Sequence, residues 1–347
     1  MSKSSHASEP AFTILELLVS MAVLSMLMLV LVSLTEQTRK TWKQTSQRID
    51  AFGGARVAFE SMTRNLSQAT LNTYWDYDSA TAPQRYVRRS ELRFISGNIP
   101  DVATALNPSA CPTHAVFFQA PLGYVADGTY HGMENLLNTC GYYLQLADDS
   151  KTRPAFLTSP SRERLRLMQL LEPSESLTLY TGSSGKPAYN ATDWFTTPLG
   201  ATSYSHVLAE NVIALVIIPE EIVPDPVDSS KTVKQVIGSS YSYSTAPAVP
   251  LVSPQPKTEN QLPPLLQVTM VAIDEASAQR LQSMGDPVAT LGLGSLFSFP
   301  GDLSNPSQPG YAQDLKTLES KLQSLKLTYR IFTSVVSIRG AKWSREQ

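Results

Sequence analysis

The sequence predicts an α+β fold, with one long N-terminal helix packed on one or two antiparallel β-sheets. An uncharged apolar run, 17–34, continues into a stretch without proline, and the rest of the chain consists of short β-favouring segments between turn residues. No alternation of strands with helices indicates a parallel sheet. The 347 residues allow a substantial core, and the formal net charge of -2 provides no basic excess for a nucleic-acid partner.

The apolar run has the length of a membrane-spanning helix, for which about 18 residues is the usual criterion. Glu16 directly precedes it, and a carboxylate in hydrocarbon costs about 2.5–3.5 kcal/mol unless it is paired or lies near the interface. The run is too long for a typical secretory signal, and an ordinary anchor has no need of Glu16. The pattern therefore favours an anchor processed at its polar edge. Cleavage after Ala11 would place the amine of Phe12 about one helical turn from Glu16.

Residues 11–27, AFTILELLVSMAVLSML, resemble the class III signal of type IV pilins and type II secretion pseudopilins. In that family a short polar leader precedes a mature chain that begins with Phe and has Glu at its fifth position. Phe12 and Glu16 match these two positions, and residues 1–11 match the leader. Ala11 stands where the family normally has Gly.

The resemblance implies cleavage between Ala11 and Phe12 by a prepilin peptidase, followed by methylation of the new amine. It also implies assembly, through Glu16, with other pilin-like subunits on an inner-membrane platform. The chain would be a single-pass protein of the bacterial inner membrane, with residues 12–34 in the membrane and the C-terminal domain in the periplasm. Its final place would be a pseudopilus or the cell surface. The basic residues that follow the run, such as Arg39, would favour the opposite orientation by charge alone.

An amphipathic pattern over residues 35–72 continues the helix beyond the membrane to about Thr70, with a potential kink at Gly53 and Gly54. We expect its apolar stripe to pack on the globular domain. The stripe consists of Ile49, Phe52, Ala55, Phe59, Met62, Leu66 and Ala69. Residues 55–78 resemble the end of the helix in the larger minor pseudopilins of the J type. The N-terminal stretch as a whole most resembles the Verru_Chthon cassette protein C family.

Residues 73–347 are predicted to form a β-rich globular domain with flexible insertions at about 224–263 and 285–311. Short helices are predicted at 275–284 and 311–325. The predicted strands are ELRFIS from 91, HAVFFQA from 114, CGYYLQLA from 140, RLRLMQLL from 164, SLTLYT from 176, NVIALVIIP from 211, PLLQVTMVAID from 264 and YRIFTSVVSIR from 329.

Cys111 and Cys140 are the only cysteines. In an oxidising periplasm such a pair near the edges of adjacent strands would form a disulfide, and the alternative is two separate buried thiols. The histidines and cysteines have no metal-ligand spacing, and the acidic and glycine-rich motifs lack the spacing of calcium, phosphate or dinucleotide loops. We therefore predict no cofactor, no metal and no catalytic residues.

Together these observations predict a minor pilin-like structural subunit of a type II secretion or type IV pilus-like system, not an enzyme. Its large head favours a position at the tip. One alternative is a single-pass anchored receptor or adhesin with a β-rich binding head, and another is an anchored enzyme.

Overall fold

The computed structural model describes residues 14–130, 132–133, 135–149, 156, 161–181, 192–201, 203–225, 228, 230–238, 240–248, 252–298 and 310–343. These residues form an α+β fold with an apolar N-terminal helix and antiparallel sheets, which confirms the predicted class. The helices are α1 (Ile14–Leu66), α2 (Ile99–Val102), α3 (Thr178–Thr181), α4 (Asp193–Gly200), α5 (Glu275–Ser283), α6 (Pro287–Leu291) and α7 (Tyr311–Ser324).

The strands of the described chain lie in three antiparallel sheets. A two-stranded ribbon pairs β1 (Tyr74–Tyr77) with β2 (Tyr86–Arg89). The remaining strands are β3 (Phe94–Asn98), β4 (His114–Pro121), β5 (Leu137–Ala147), β6 (Arg164–Glu172), β7 (Ser205–Glu210), β8 (Val212–Pro224), β9 (Thr232–Val236), β10 (Tyr243–Ser244), β11 (Leu265–Ile273) and β12 (Tyr329–Ser337). They form a six-stranded sheet in the order β10-β3-β4-β5-β6-β7 and a four-stranded sheet in the order β12-β11-β8-β9.

Helix α1 contributes to two compact units, one that ends at Ala51 and one that begins at Phe52. In the second unit its apolar stripe is buried, as predicted, because residues three and four apart share one face of a helix. The opposite face is solvated and contains an ion pair from Arg56 to Glu60 at 2.8 Å. The predicted positions that are buried are Phe52, Ala55, Phe59, Met62 and Leu66, with Ala69 just beyond the helix, and Ala58 is buried beside them. The side chain of Ile49, the first predicted position, lies outside the described part of the chain.

The α1 stripe packs into a central cluster with one face of each larger sheet. Alternate residues of β4 and β5 enter this cluster, for example Val116 and Phe118, because successive side chains of a strand point to opposite faces. The other face of the six-stranded sheet is covered by α2, α3 and α4. Trp194 and Phe195 of α4 are buried there. The other face of the four-stranded sheet is covered by α5, α6 and α7.

Strand β8 is buried without interruption from Val212 to Glu220 because both of its faces are covered. A bulge lies where it pairs with β11, between the partners Val271 and Ala272. The extra residue changes which face the side chains point to: Val212 and Leu215 enter the central cluster, whereas Ile213 and Ala214 between them both face α5–α7.

Most of the predicted elements are confirmed, but SLTLYT from 176 is not a strand. It forms a short 3-10 turn, Ser174–Ser176, followed by α3. The reason is local, because the carboxylate of Glu172 accepts hydrogen bonds from the backbone N–H and the hydroxyl of Thr178. A single helical turn then buries Leu177 and Leu179 as effectively as an edge strand would.

Regular structure extends into both of the predicted insertions where the structure describes them. Within 224–263 the chain forms β9 and β10 and buries Tyr241 and Tyr243. Within 285–311, residues 286–298 form α6 and a packed turn that buries Leu291 and Phe297 under the four-stranded sheet. Proline and serine mark these segments as irregular, but their aromatic and aliphatic residues anchor them to the core.

Candidate functional site

The first part of α1 is the candidate functional element. Ile14–Arg39 is long and apolar enough to cross a membrane, since an 18-residue window within it has a mean hydropathy of 2.7 and none of that window is buried. Every described side chain from Ile14 to Leu34 is exposed, on all sides of the helix. A helix that is apolar all round requires an apolar environment, which is either lipid or other helices.

Glu16 lies in the first turn of this helix. The partial positive charge of a helix N-terminus stabilises a carboxylate there, which lowers the cost of placing Glu16 beside the apolar run. The next charged residue along the helix is Glu36. Glu16 is thus the single charged group at the start of a surface that is otherwise suited to hydrocarbon.

The hydroxyl groups of the apolar segment are satisfied within the helix itself. Ser20 donates to the carbonyl of Glu16, one turn earlier. The others repeat this pattern: Ser25 to Met21 at 2.7 Å, Ser33 to Val30 at 2.9 Å, Thr35 to Leu31 at 2.8 Å and Thr38 to Leu34 at 2.8 Å. These side chains therefore need no water, which suits a helix in lipid. They were not among the residues predicted from the sequence, although serine and threonine inside an apolar run are a visible signal.

Trp42 is a second feature that the sequence analysis missed. It follows the basic residue at the end of the candidate span, Arg39, and 77% of its surface is exposed. Tryptophan is enriched where a membrane meets water, because its ring is apolar and its N–H is polar. Its position is consistent with the end of a span near Arg39.

The predicted processing site, Ala11 and Phe12, lies outside the described residues. Glu16 is therefore the one member of the predicted processing and assembly set whose position in the structure can be stated. The placement of the Phe12 amine one turn from Glu16 remains a prediction from the sequence.

The predicted disulfide between Cys111 and Cys140 is absent, and both cysteines are free, buried thiols. They belong to different clusters: Cys140 points into the central cluster from β5, and Cys111 lies in the cluster under α2–α4. The six-stranded sheet separates these two clusters, so a bridge would require rearrangement of a packed layer. Burial raises the pKa of Cys111 to about 11 and that of Cys140 to about 12, so both stay protonated near neutral pH.

Where the structure describes the acidic motifs, they serve as turns. One oxygen of Asp78 accepts the backbone N–H groups of Ser79 and Gln84 at 2.9 Å, and hydrogen bonds led by that of Gln84 lower its pKa. Asp228 closes a turn onto Ser230. The described residues contain no group of three or more carboxylate, histidine or cysteine side chains that could hold a metal ion. Gly292 ends α6 in a left-handed conformation, φ +70°, so the glycines near it form a helix terminus.

His114 is the one histidine in the described chain that is fully buried, and its contacts are structural. Its Nδ1 accepts the N–H of Ile217 at 3.0 Å, and its Nε2 donates to the carbonyl of Phe297 at 2.8 Å. These bonds connect the start of β4 to β8 and to the segment after α6. Desolvation lowers the pKa of His114, which keeps the imidazole neutral. No nucleophile is among these partners.

Comparison of the chain with protein-family models, with curated proteins and with solved structures finds no match. The apolar helix and its carboxylate are therefore the observations on which a functional argument can rest.

Proposed function

We propose that this chain is a minor pilin-like structural subunit of a type II secretion or type IV pilus-like system. The proposal is carried by one observation: α1 presents an apolar surface on all sides from Ile14 to Leu34, with a single carboxylate, Glu16, in its first turn. This is the arrangement that the resemblance of residues 11–27 to class III signals leads one to expect.

The same apolar surface suits such a helix both to the lipid bilayer and to a bundle of similar helices. Lipid tails are about as apolar as leucine, so transfer of the helix from the bilayer to a bundle of similar helices changes its environment little. The internal bonds of Ser20, Ser25 and Thr35 remain in both places. Glu16 differs, because its charge is costly in hydrocarbon and is neutralised where it meets an amine. In this proposal the amine is that of Phe12, in the same chain or in a neighbour.

The partners follow from this assembly. A prepilin peptidase would cut between Ala11 and Phe12, and an inner-membrane platform with its cytosolic ATPase would supply the energy, since the chain itself is proposed to have no catalytic role. The single-pass protein would reside in the bacterial inner membrane, with the unit that begins at Phe52 in the periplasm. The size of this unit favours a tip position over a repeated position in the shaft.

The N-terminus of the mature protein tests the proposal. Mass spectrometry of protein purified from membranes is expected to find a chain that begins at N-methylated Phe12. The variant Ala11→Glu is expected to block cleavage, because a charged side chain does not fit a subsite for a small residue, whereas Ala11→Gly is expected to be cleaved. Ala7→Glu, within the leader, is the matched control and is expected to be processed. An intact leader in the wild-type protein would refute the proposal.

A single-pass receptor or adhesin is the second candidate, and an exposed group of aromatic side chains on the β1–β2 ribbon favours it. In that case the helix is only an anchor. The same N-terminal measurement separates the two, because an anchor keeps its leader.

A further inference from the structure

The β1–β2 ribbon presents three large aromatic side chains to solvent on one face. In its antiparallel register Trp75 lies opposite Arg88, and Tyr77 lies opposite Tyr86. Paired residues, and residues two apart, share a face, so these four side chains lie together. The exposed fractions are 64% for Trp75, 47% for Tyr77 and 63% for Tyr86. We call this group the aromatic face. On the other face of the ribbon Val87 is buried, whereas Tyr74 and Asp76 are exposed.

Two rings of the aromatic face, those of Tyr77 and Tyr86, hold each other in place. Tyr77 and Tyr86 stack with their centroids 4.7 Å apart and their planes at 26°, and the hydroxyl of Tyr86 donates to that of Tyr77 at 3.0 Å. A cross-strand pair of rings stabilises a ribbon, and this role is enough to explain why Tyr77 and Tyr86 lie opposite each other. It does not explain Trp75, whose opposite residue is an arginine. A tryptophan exposed beside two exposed tyrosines forms an apolar patch of a kind that often marks a binding site.

The backbone beneath these rings is fixed from both sides. The side-chain amide of Gln255 accepts the backbone N–H of Arg88 and donates to its carbonyl, both at 2.9 Å. It thus makes the two hydrogen bonds that a residue of a neighbouring strand would make. The guanidinium of Arg89 donates to the carbonyl of Tyr77 at 3.0 Å, and Asp78 closes the connecting turn. A surface that is ordered before binding loses little conformational entropy when a ligand arrives.

The cationic side chains of the ribbon already have partners, which makes the ribbon a poor site for an anionic ligand. Arg89 pairs with Asp76 and Arg85 pairs with Asp78, each at 3.4 Å. Arg88 is half-buried and donates to the carbonyl of Pro256 at 3.0 Å. A polyanion such as a nucleic acid or a sulfated glycan needs cations that are free to replace its counterions. The ribbon instead suits an uncharged ligand with apolar faces and hydroxyl groups.

We propose that the aromatic face is a binding site for a neutral glycan. The electron-rich faces of Trp75 and Tyr86 would stack on the C–H face of a sugar ring, whose C–H groups carry a weak positive charge. The tyrosine hydroxyls would donate and accept hydrogen bonds at the edge of the stack. The site does not depend on whether α1 is cleaved or assembled, so it can fail or succeed independently of the proposed function.

The test uses the full chain in lipid nanodiscs, because sugar-based detergents would compete for the site. A panel of neutral oligosaccharides, including hexamers of β-linked glucose, N-acetylglucosamine and mannose, is screened by tryptophan fluorescence and titration calorimetry. A heparin hexasaccharide and a proline decamer are screened in parallel. We expect at least one neutral oligosaccharide to bind. We expect Trp75→Ala to weaken that binding by about tenfold or more, and Trp75→Phe to weaken it less.

Tyr130→Ala is the matched control, because Tyr130 is an exposed tyrosine distant in sequence from the ribbon, and we expect it to bind as the wild type does. Circular dichroism checks that each variant is folded, and Tyr86→Ala provides a second variant should Trp75→Ala fail to fold. Three results would each overturn the proposal: no neutral oligosaccharide binds up to about 10 mM, binding is unchanged in both ribbon variants, or only heparin or the proline peptide binds.

Discussion

His114 on β4 and Asp314 on α7 bind opposite groups of the same residue, Phe297. The imidazole donates to its carbonyl at 2.8 Å, and the carboxylate accepts its N–H, also at 2.8 Å. Phe297 is fully buried and has φ +60°, a conformation that is uncommon for a residue with a side chain. Two polar side chains from distant parts of the chain thus fix the backbone of a turn that propensity alone would not favour.

Protonation of His114 should destabilise the protein. Desolvation lowers its folded-state pKa below the ordinary value of 6.5, so below that pH the unfolded chain binds a proton that the folded chain does not. The free energy of unfolding should therefore fall as the pH drops from 6.5 towards the folded pKa, by up to about 1.4 kcal/mol per pH unit. The hydrogen bonds to Phe297 and Ile217, and then the charge of Asp101, reduce this lowering of the pKa without reversing it.

Urea unfolding at a series of pH values measures this slope. The variant His114→Gln should lose the contribution, while His206→Gln, at an exposed position on β7, should keep it. Asp314 acts with the opposite sign at lower pH, because burial raises its pKa, and it is present in both variants. An unchanged slope in His114→Gln would contradict the assignment.

Loss of the Asp314 carboxylate should destabilise the protein, because the carboxylate holds the 286–298 segment through Phe297. Asp314→Ala leaves the buried N–H of Phe297 without its acceptor and should cost about 1–3 kcal/mol of unfolding free energy. Asp314→Asn keeps a carbonyl oxygen and should cost less. Lys316→Ala, on the exposed side of α7, should change stability by no more than about 0.5 kcal/mol. Equal losses in the alanine and asparagine variants would show that the hydrogen bond is not the cause.

Gly141 should not tolerate a side chain. The ring of Phe117 on the neighbouring strand lies over it, and a Cβ at Gly141 would approach the ring to 2.2 Å. Phe117 is itself stacked on Phe195 at 4.3 Å, so it has little room to move. Gly141→Ala should cost at least about 1–3 kcal/mol.

Gly53→Ala provides the comparison, because a Cβ there meets nothing within 4 Å and alanine favours the helix. In thermal unfolding, the Tm of Gly141→Ala should be lower than that of the wild type and the Tm of Gly53→Ala should be higher. A Gly141→Ala protein as stable as the wild type would be inconsistent with the packing of Phe117.

Cys111 and Cys140 should remain reduced and unreactive in the folded protein. Buried thiols with pKa values of about 11 and about 12 offer almost no thiolate to an alkylating reagent at pH 8. Mass spectrometry after iodoacetamide treatment should find no label on the native protein and two labels after unfolding in urea. A peptide pair linked through these cysteines would instead restore the disulfide predicted from the sequence.

Glu16 should be needed for assembly and not for membrane insertion. If its charge meets an amine in the assembled state, then Glu16→Ala and Glu16→Gln should both abolish incorporation into crosslinked complexes with other pilin-like subunits. The amount in the membrane fraction should be unaffected. Glu36→Gln, at the next acidic position of α1, is the control and should assemble. Normal incorporation of both Glu16 variants would remove the basis for this pairing.

The sequence predicts those parts of the fold that periodicity specifies. The α1 stripe from Phe52 to Leu66, the long strands β4 and β8, and helices α5 and α7 have patterns strong enough to read without tertiary information. By contrast, β7 and β9 are short, polar and exposed, and exist because a neighbouring strand offers them partners. Helix α4 contains Pro198 and forms where Trp194 and Phe195 can be buried.

Some of the functional and polar residues could likewise be predicted from the sequence, and others could not. Glu16 could be found because a lone charge beside an apolar run is visible in the sequence. The role of His114 could not, because its partners lie 103 and 183 positions away. Separation of the two cysteines by a sheet likewise depends on strand pairing, which their spacing does not reveal.

Strand β8 separates two hydrophobic cores, one on each of its faces. Nine consecutive positions of the strand are buried and seven of them, Val212 to Ile218, face one core or the other, so this stretch has no outward side on which residue size is free to vary. Val212, Leu215 and Ile217 face the α1 side, and the bulge places both Ile213 and Ala214 on the side of α5–α7. This stretch is therefore a poor location for an engineered tag, loop or label.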